Sequence, residues 1–302
     1  MNITDQYIYE KFPESLFSAE DPLDYCKTLS VGLEKSLNSN VAIVGICRNI
    51  SSVLDHAVAR MYKTASLFND YCFIIYENDS NDGTSPRLKE YASRDDNFVL
   101  LQETLGRNQF ANTRDYNRAF YLSGLRNKYL SILKGIPNID YVIVVDLDLE
   151  GGWSYDGILN SLSHEDWSAM TSNGLLFREK TVTIKHTESS QSLSEIESIF
   201  FDTWAFRGLG DKYPLKDSEL HFKSFTRGEE PVKVFSNFGG MAIYKYDDIV
   251  RCEYGVTRHD NGDVDCDHPF LHQQIRDNGG SVYLNPSMIT LYSPHEFSFS
   301  TT

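Results

Sequence analysis

Four short apolar or aromatic runs, at 41–46, 71–76, 98–101 and 141–145, set the architecture of this chain. Each has the length of a strand buried on both faces, where polar alternation is lost because neither side meets water. The stretches between them carry apolar residues at helical spacing. Leu54, Ala57, Val58, Met61, Ala65 and Phe68 define a helix over 52–68, with Ser52-Val53-Leu54-Asp55 reading as a capping box at its start. Further helices are expected at 85–93 and 113–134, the second closed by Gly135 and Pro137. The order β-α-β-α-β-α-β predicts an α/β fold with a doubly wound, mostly parallel sheet, and such sheets bind ligands at the carboxyl ends of their strands.

The fourth run ends in Asp146-Leu147-Asp148. Two carboxylates two residues apart on an extended chain lie about 6.6 Å from each other. Hard divalent cations take a few carboxylate oxygens and complete their shell with water or phosphate oxygens, so the pair suits Mg²⁺ or Mn²⁺ on a diphosphate. Taken alone, the same residues also describe a solvated acidic turn.

Charge narrows the partners. Against 43 acidic residues stand 28 Lys and Arg, a net charge of -15, which repels nucleic acid and anionic membrane surfaces. Arginines gathered near the acidic pair therefore carry information. The five cysteines are odd in number and lack CxxC spacing, which predicts reduced thiols, with Cys252–Cys266 the one conceivable bridge. Without a leader-like N-terminus or an apolar run of about 18 residues, the expectation is a cytoplasmic protein with no transmembrane segment, any membrane contact being peripheral.

Beyond Asp148 the pattern loosens, with strands expected at 168–172, 199–206, 240–245, 281–284 and 288–292, and a polar surface loop at 185–192. Residues 1–40 form an N-terminal helical extension. The strand ends deliver Arg48, and then Glu77, Asn78 and Asp79, whose short polar groups can bond a ribose or a base edge. Arg107, Arg114, Arg118 and Arg126, with Asn127, follow and can hold phosphate oxygens. Gly239-Gly240 precedes an apolar strand and allows close backbone approach to a ligand. Asp267, opening a helix before His268, can serve as a general base or as a cap. Trp153 and Trp204 are candidate platforms for a sugar ring, Trp153 the stronger because glycines flank it.

The order Glu-Asn-Asp-Ser-x-Asp-Gly-Thr, helical Arg-Asn, Asp-x-Asp, Gly-Gly-x-Ala and Asp-His resembles the GT-A-fold glycosyltransferases, broadly those of family 2. Residues 118–130 and 202–207 more closely resemble the capsule-associated, cryptococcal-type mannosyltransferases and related viral glycosyltransferases. The resemblance covers about residues 41–295. It implies a GT-A fold with a nucleotide-sugar-binding half at 41–150 and a smaller acceptor-binding half at 151–302.

It further implies a metal-dependent hexosyl- or deoxyhexosyltransferase that moves a sugar from a UDP- or GDP-linked donor to a hydroxyl of a glycan or glycoconjugate. Arg48, Glu77, Asn78, Asp79, Arg126, Asn127 and Asp146 would bind the donor. Asp146, Asp148 and His295 would hold Mn²⁺ or Mg²⁺. Asp267, with Asp265 in reserve, would take the acceptor proton, and Trp153, Gly239, Gly240 and His268 would meet the acceptor. Asp-His stands where family 2 has Glu-Asp, and the mannosyltransferases retain configuration, so stereochemistry stays open. The rivals are a nucleotidyltransferase, although 45–49 lacks the Gly-rich basic loop, and a non-catalytic binder of nucleotide sugars or glycans.

Overall fold

The computed structural model describes residues 12–110, 113–185, 190–214 and 223–292. The parallel half is built from β1 (Asn40–Cys47), β2 (Asp70–Asn78), β3 (Phe98–Glu103) and β4 (Tyr141–Val145), in the spatial order β3-β2-β1-β4. A helix precedes β1, α1 (Pro22–Leu37), and the crossovers are α2 (Leu54–Ala65), α3 (Thr84–Ala92) and α4 (Tyr116–Leu133). Alternation sorts the strand residues into two layers. Val41, Ile43, Phe73, Ile75, Ile143 and Val145 pack with α2, while Ala42, Val44, Ile74, Val142 and Val144 pack with α4. Both faces are therefore dry, which is why these strands read as unbroken apolar runs.

Two helix starts differ from expectation. α2 begins at Leu54 with no side-chain cap, because the preceding loop is spent elsewhere: Ile50 N–H donates to Thr84 Oγ1 and Ser51 N–H to Asp82. α4 begins at Tyr116, where the Asp115 carboxylate accepts from Arg118 N–H, a side-chain N-cap.

The sheet then continues as a mixed half. β9 (Met241–Lys245) runs antiparallel to β4, and beyond it lie β6 (Ala169–Lys185), β10 (Val282–Leu291) and β5 (Gly152–Trp153). β6 and β10 are parallel, with an irregularity between Asn285 and Ile289, so the two strands expected at 281–284 and 288–292 are one. The edge pieces β7 (Ser190–Phe200) and β8 (Val232–Val234) pair with β6 and β10. The loop expected at 185–192 falls at the end of the β6–β7 hairpin, with 186–189 outside the described residues. The strand expected over 199–206 stops at Phe200. Asp202, at φ 108, turns the backbone into the left-handed region, and its carboxylate and carbonyl accept from Ala205 and Phe206 N–H to close a turn.

Residues 12–39 are tied to the body. α1 packs on α5 (Tyr155–Ser163) so closely that a Cβ on Gly32 would strike the Leu159 carbonyl. Glu14 accepts from Ser154 Oγ at 2.8 Å and from Tyr155 N–H at 2.8 Å, placing its charge at the N-terminus of α5, and it pairs with the buried Arg227. All five cysteines are free thiols, so no Cys252–Cys266 bridge forms. Among the described residues, no helix is long and apolar enough to cross a membrane.

Candidate functional site

β1, β2 and β4 end at the same edge of the sheet, and two adjoining cavities open there. The smaller, about 260 Å³, is lined by Arg48 past β1, Asn78 at the end of β2 and Tyr121 and Leu125 of α4. The larger, about 670 Å³, is lined by Asp202, Trp204, Asp267, His268 and Tyr292. Asp146, Asp148, Arg118 and Arg126 border both. Asp146 is fixed where β4 ends, its N–H donating to Gly240 O at 2.9 Å.

The acidic pair is electrostatically uncomfortable. Asp146 is surrounded by protein while about a quarter of its side chain, 26%, opens to the cavities. Burial pushes its carboxyl up to about 7, the Arg126 guanidinium opposes that push, and Asp148 adds to it. A divalent cation would relieve two close carboxylates of this kind, and two oxygen donors leave room for phosphate oxygens and water. Among the described residues no set of three or more His, Cys, Asp or Glu is arranged to hold a metal. His295 lies outside the described residues.

Arg126 joins the two cavities. It is buried, with Nη2 3.0 Å from Asp146 Oδ1 and Nε 2.7 Å from Asp267 Oδ2. The rings of Phe238 and Tyr254 flank its guanidinium at 5.3 and 5.8 Å. Nη1 is buried in the protein.

Asp267 is the first residue of α6 (Asp267–Asp277), which has no side-chain cap; its carboxylate faces Arg126 instead. His268 is buried against the Phe238 ring, centroids 3.7 Å apart, and burial first, then Arg126, holds its imidazole neutral. Asp265 lines neither cavity. It is paired with Arg207 and lies 3.0 Å from His259 Nε2, so the reserve base is withdrawn into an ion pair.

Other expected contacts also turn inward. Of Glu77, Asn78 and Asp79, Asn78 alone lines a cavity, its Nδ2 donating to Tyr121 OH at 2.9 Å. Glu77 accepts from Ser80 N–H and Gln102 Nε2, and Asp79 from Leu105 and Gly106 N–H, so these two carboxylates shape loops. Asn127 bonds both backbone groups of Tyr254 and lines neither cavity. Trp153 is not a platform: it is 1% exposed, its Nε1 donates to Thr64 Oγ1 at 2.9 Å, and its ring belongs to the core. Trp204 lines the larger cavity, anchored by Nε1 donating to Val264 O at 2.7 Å.

Gly239 and Gly240, at φ 67 and 92, do allow a close approach, but of protein to protein. A Cβ on Gly239 would strike the Ser172 carbonyl, and one on Gly240 would crowd Leu149 and Tyr292. Sequence reasoning missed Tyr121, Asp202 and Tyr292 as lining residues. Helical spacing from Arg118 and Arg126 could have brought in Tyr121, and Asp202 opens the 202–207 segment that carries the family resemblance, whereas Tyr292 has no signal of its own.

Residues 40–273 match the protein family described as cryptococcal mannosyltransferase 1. No curated protein sequence matches the chain. Among solved structures it is similar to the mannosyltransferase PcManGT from Pyrobaculum calidifontis, in complex with GDP-Man and Mn²⁺, at 12% identity and a TM-score of 0.47. That likeness covers 91% of this chain and 65% of the other. It is also similar to GalNAc-T7 with UDP, GalNAc and Mn²⁺, at 10% identity and a TM-score of 0.42, covering 84% of this chain and 44% of that one. The chain thus spans less than two thirds of the length of either protein.

Proposed function

The chain belongs to the cryptococcal mannosyltransferase 1 family, and from that premise we propose that it is a metal-dependent glycosyltransferase, transferring a sugar from a nucleoside diphosphate sugar to a hydroxyl of a glycan or other acceptor. One observation carries the reading: a small and a large cavity meet at Asp146 and Asp148, at the carboxyl end of the central strands. In the doubly wound half that edge is where nucleotides bind.

Arg48, Asn78 and Tyr121 line the smaller cavity and would receive the nucleoside. Arg118 and Arg126, which border both cavities, would meet the diphosphate. Mn²⁺ or Mg²⁺ held by Asp146 and Asp148 would supply positive charge where negative charge grows on the departing diphosphate. Asp267, facing Arg126 at 2.7 Å, would keep that guanidinium aimed between the cavities. The acceptor would enter the larger cavity past Trp204 and His268.

The test is donor hydrolysis by the full chain over a panel of UDP-, GDP- and TDP-sugars with Mn²⁺. One donor class should be cleaved, with EDTA or Asp148→Ala abolishing the reaction. Cleavage unaffected by both would overturn the assignment, and release of pyrophosphate from a nucleoside triphosphate would replace it with nucleotidyl transfer.

A further inference from the structure

Asp202, Asp265 and Asp267 are the acidic side chains to compare in the mixed half, and they are not equivalent. Asp267 faces Arg126, and Asp265 is paired with Arg207 and His259. Each of these two carboxylates is already matched to a buried arginine. Asp202 forms no ion pair among the described residues. Its Oδ1 accepts from Ala205 N–H at 3.1 Å and its Oδ2 from Gly239 N–H at 2.8 Å, which leaves a lone pair on each oxygen unused.

Location separates it from the donor machinery. Asp202 lines the larger cavity and not the smaller, so it stands beyond Asp146 and Asp148 on the side away from the nucleoside pocket. Thr203 and Trp204 follow it on the same wall. Its backbone is held at φ 108, a conformation that disfavours every residue but glycine and that persists in folded proteins mostly where function requires a particular side chain. The turn it closes would accept glycine without strain.

Resting on the glycosyltransferase reading, we infer that Asp202 is the residue that accepts a hydrogen bond from the attacking hydroxyl of the acceptor sugar and aims it at the donor. Burial pushes its carboxyl above the usual range, since only backbone amides and more distant arginines offset the desolvation. A hydroxyl donor would use the lone pairs that the backbone amides leave free. Water itself, small and needing no aim, can reach the donor without this contact.

The experiment compares two reactions in Asp202→Gly and Asp202→Asn. Glycine suits φ 108 and removes the carboxylate; asparagine keeps the shape and removes the charge. Transfer is measured from the donor found in the panel above to a set of methyl glycosides, and hydrolysis is measured without them. Binding of UDP and GDP with Mn²⁺ serves as the fold control. The expected result is a loss of about 100-fold in kcat/KM for the methyl glycoside in D202G, and at least about tenfold in D202N. Nucleotide affinity and donor hydrolysis stay within about threefold of the parent.

Equal loss of hydrolysis and transfer overturns the inference, because Asp202 would then serve the metal and diphosphate or the fold. Undiminished transfer in D202G overturns it too, leaving the carboxylate as a turn cap. If Asp148→Ala abolishes both reactions while D202G impairs neither, the glycosyltransferase reading stands and the role of Asp202 falls. If the parent chain cleaves no donor, the reading itself has failed.

Discussion

The two halves of the sheet place their functional groups by different means. In the parallel half, Arg48, Asn78 and Asp146 reach the crevice because their strands end there, and a shift of one residue would send each to the other face. In the mixed half, Asp202, Trp204 and Asp267 lie on turns and a helix start, held by long-range bonds to Gly239, Val264 and Arg126. Strand geometry makes the first set robust, whereas the second depends on individual partners. Damage to single residues should therefore act on chemistry in the first half and on both chemistry and folding in the second.

The largest expected effect tests the first clause. Asp148→Ala should reduce donor cleavage at least about 1000-fold, equivalent to about 4 kcal/mol of barrier, while thermal unfolding stays near that of the parent. Arg126 bridges the halves and should break the pattern, because its loss strands Asp267 in a buried site. Arg126→Met should lower stability in urea by about 3–5 kcal/mol, and adding Asp267→Asn should recover part of it. Simple additivity of the two changes would show that the pair is not coupled.

Acid should weaken the mixed half. His272 sits between Ser236 Oγ and Tyr244 OH, both at 2.9 Å, and burial pushes its pKa down to about 3. Its ordinary value is about 6.5, so over the interval from about 6.5 down to 3 the unfolded chain binds the proton and the folded chain does not. That depressed pKa contributes stability in full above about 6.5, and it declines by up to about 1.4 kcal/mol per pH unit below that. Urea unfolding between pH 7.5 and 5 should show this slope, and His272→Gln should flatten it. The smallest effect concerns Trp153. Trp153→Phe should cost about 1 kcal/mol through the lost bond to Thr64, with transfer unchanged, and a fall in acceptor affinity would return Trp153 to the site.

Much of the parallel half was legible because a dry strand leaves an unmistakable run and its last residues must face the crevice. Even there, alternation was underused: Glu77 and Asp79 fall on the side opposite Asn78, and their carboxylates are consumed by loop amides. In the mixed half, Gly151-Gly152 just before Trp153 suggested exposure, yet pairing of β5 with β10 buries the ring. Phe200-Phe201 reads as a strand continuing to 206, and nothing in the residue types announces that Asp202 reverses the chain. Pairing of Asp267 with Arg126, and of Asp265 with Arg207, joins residues 141 and 58 positions apart, which no local pattern encodes.

The bond network of Glu14 bears on how this protein can be handled. The family match begins at residue 40 and ends at 273, yet Glu14 neutralises Arg227 in the interior, and β10, inserted between β6 and β5, lies wholly past 273. A fragment trimmed to the matched span would strand a buried cation and open a slot in the middle of the sheet. The matched span is thus smaller than the folding unit, and a fragment that keeps the sheet whole has to include both Glu14 and β10.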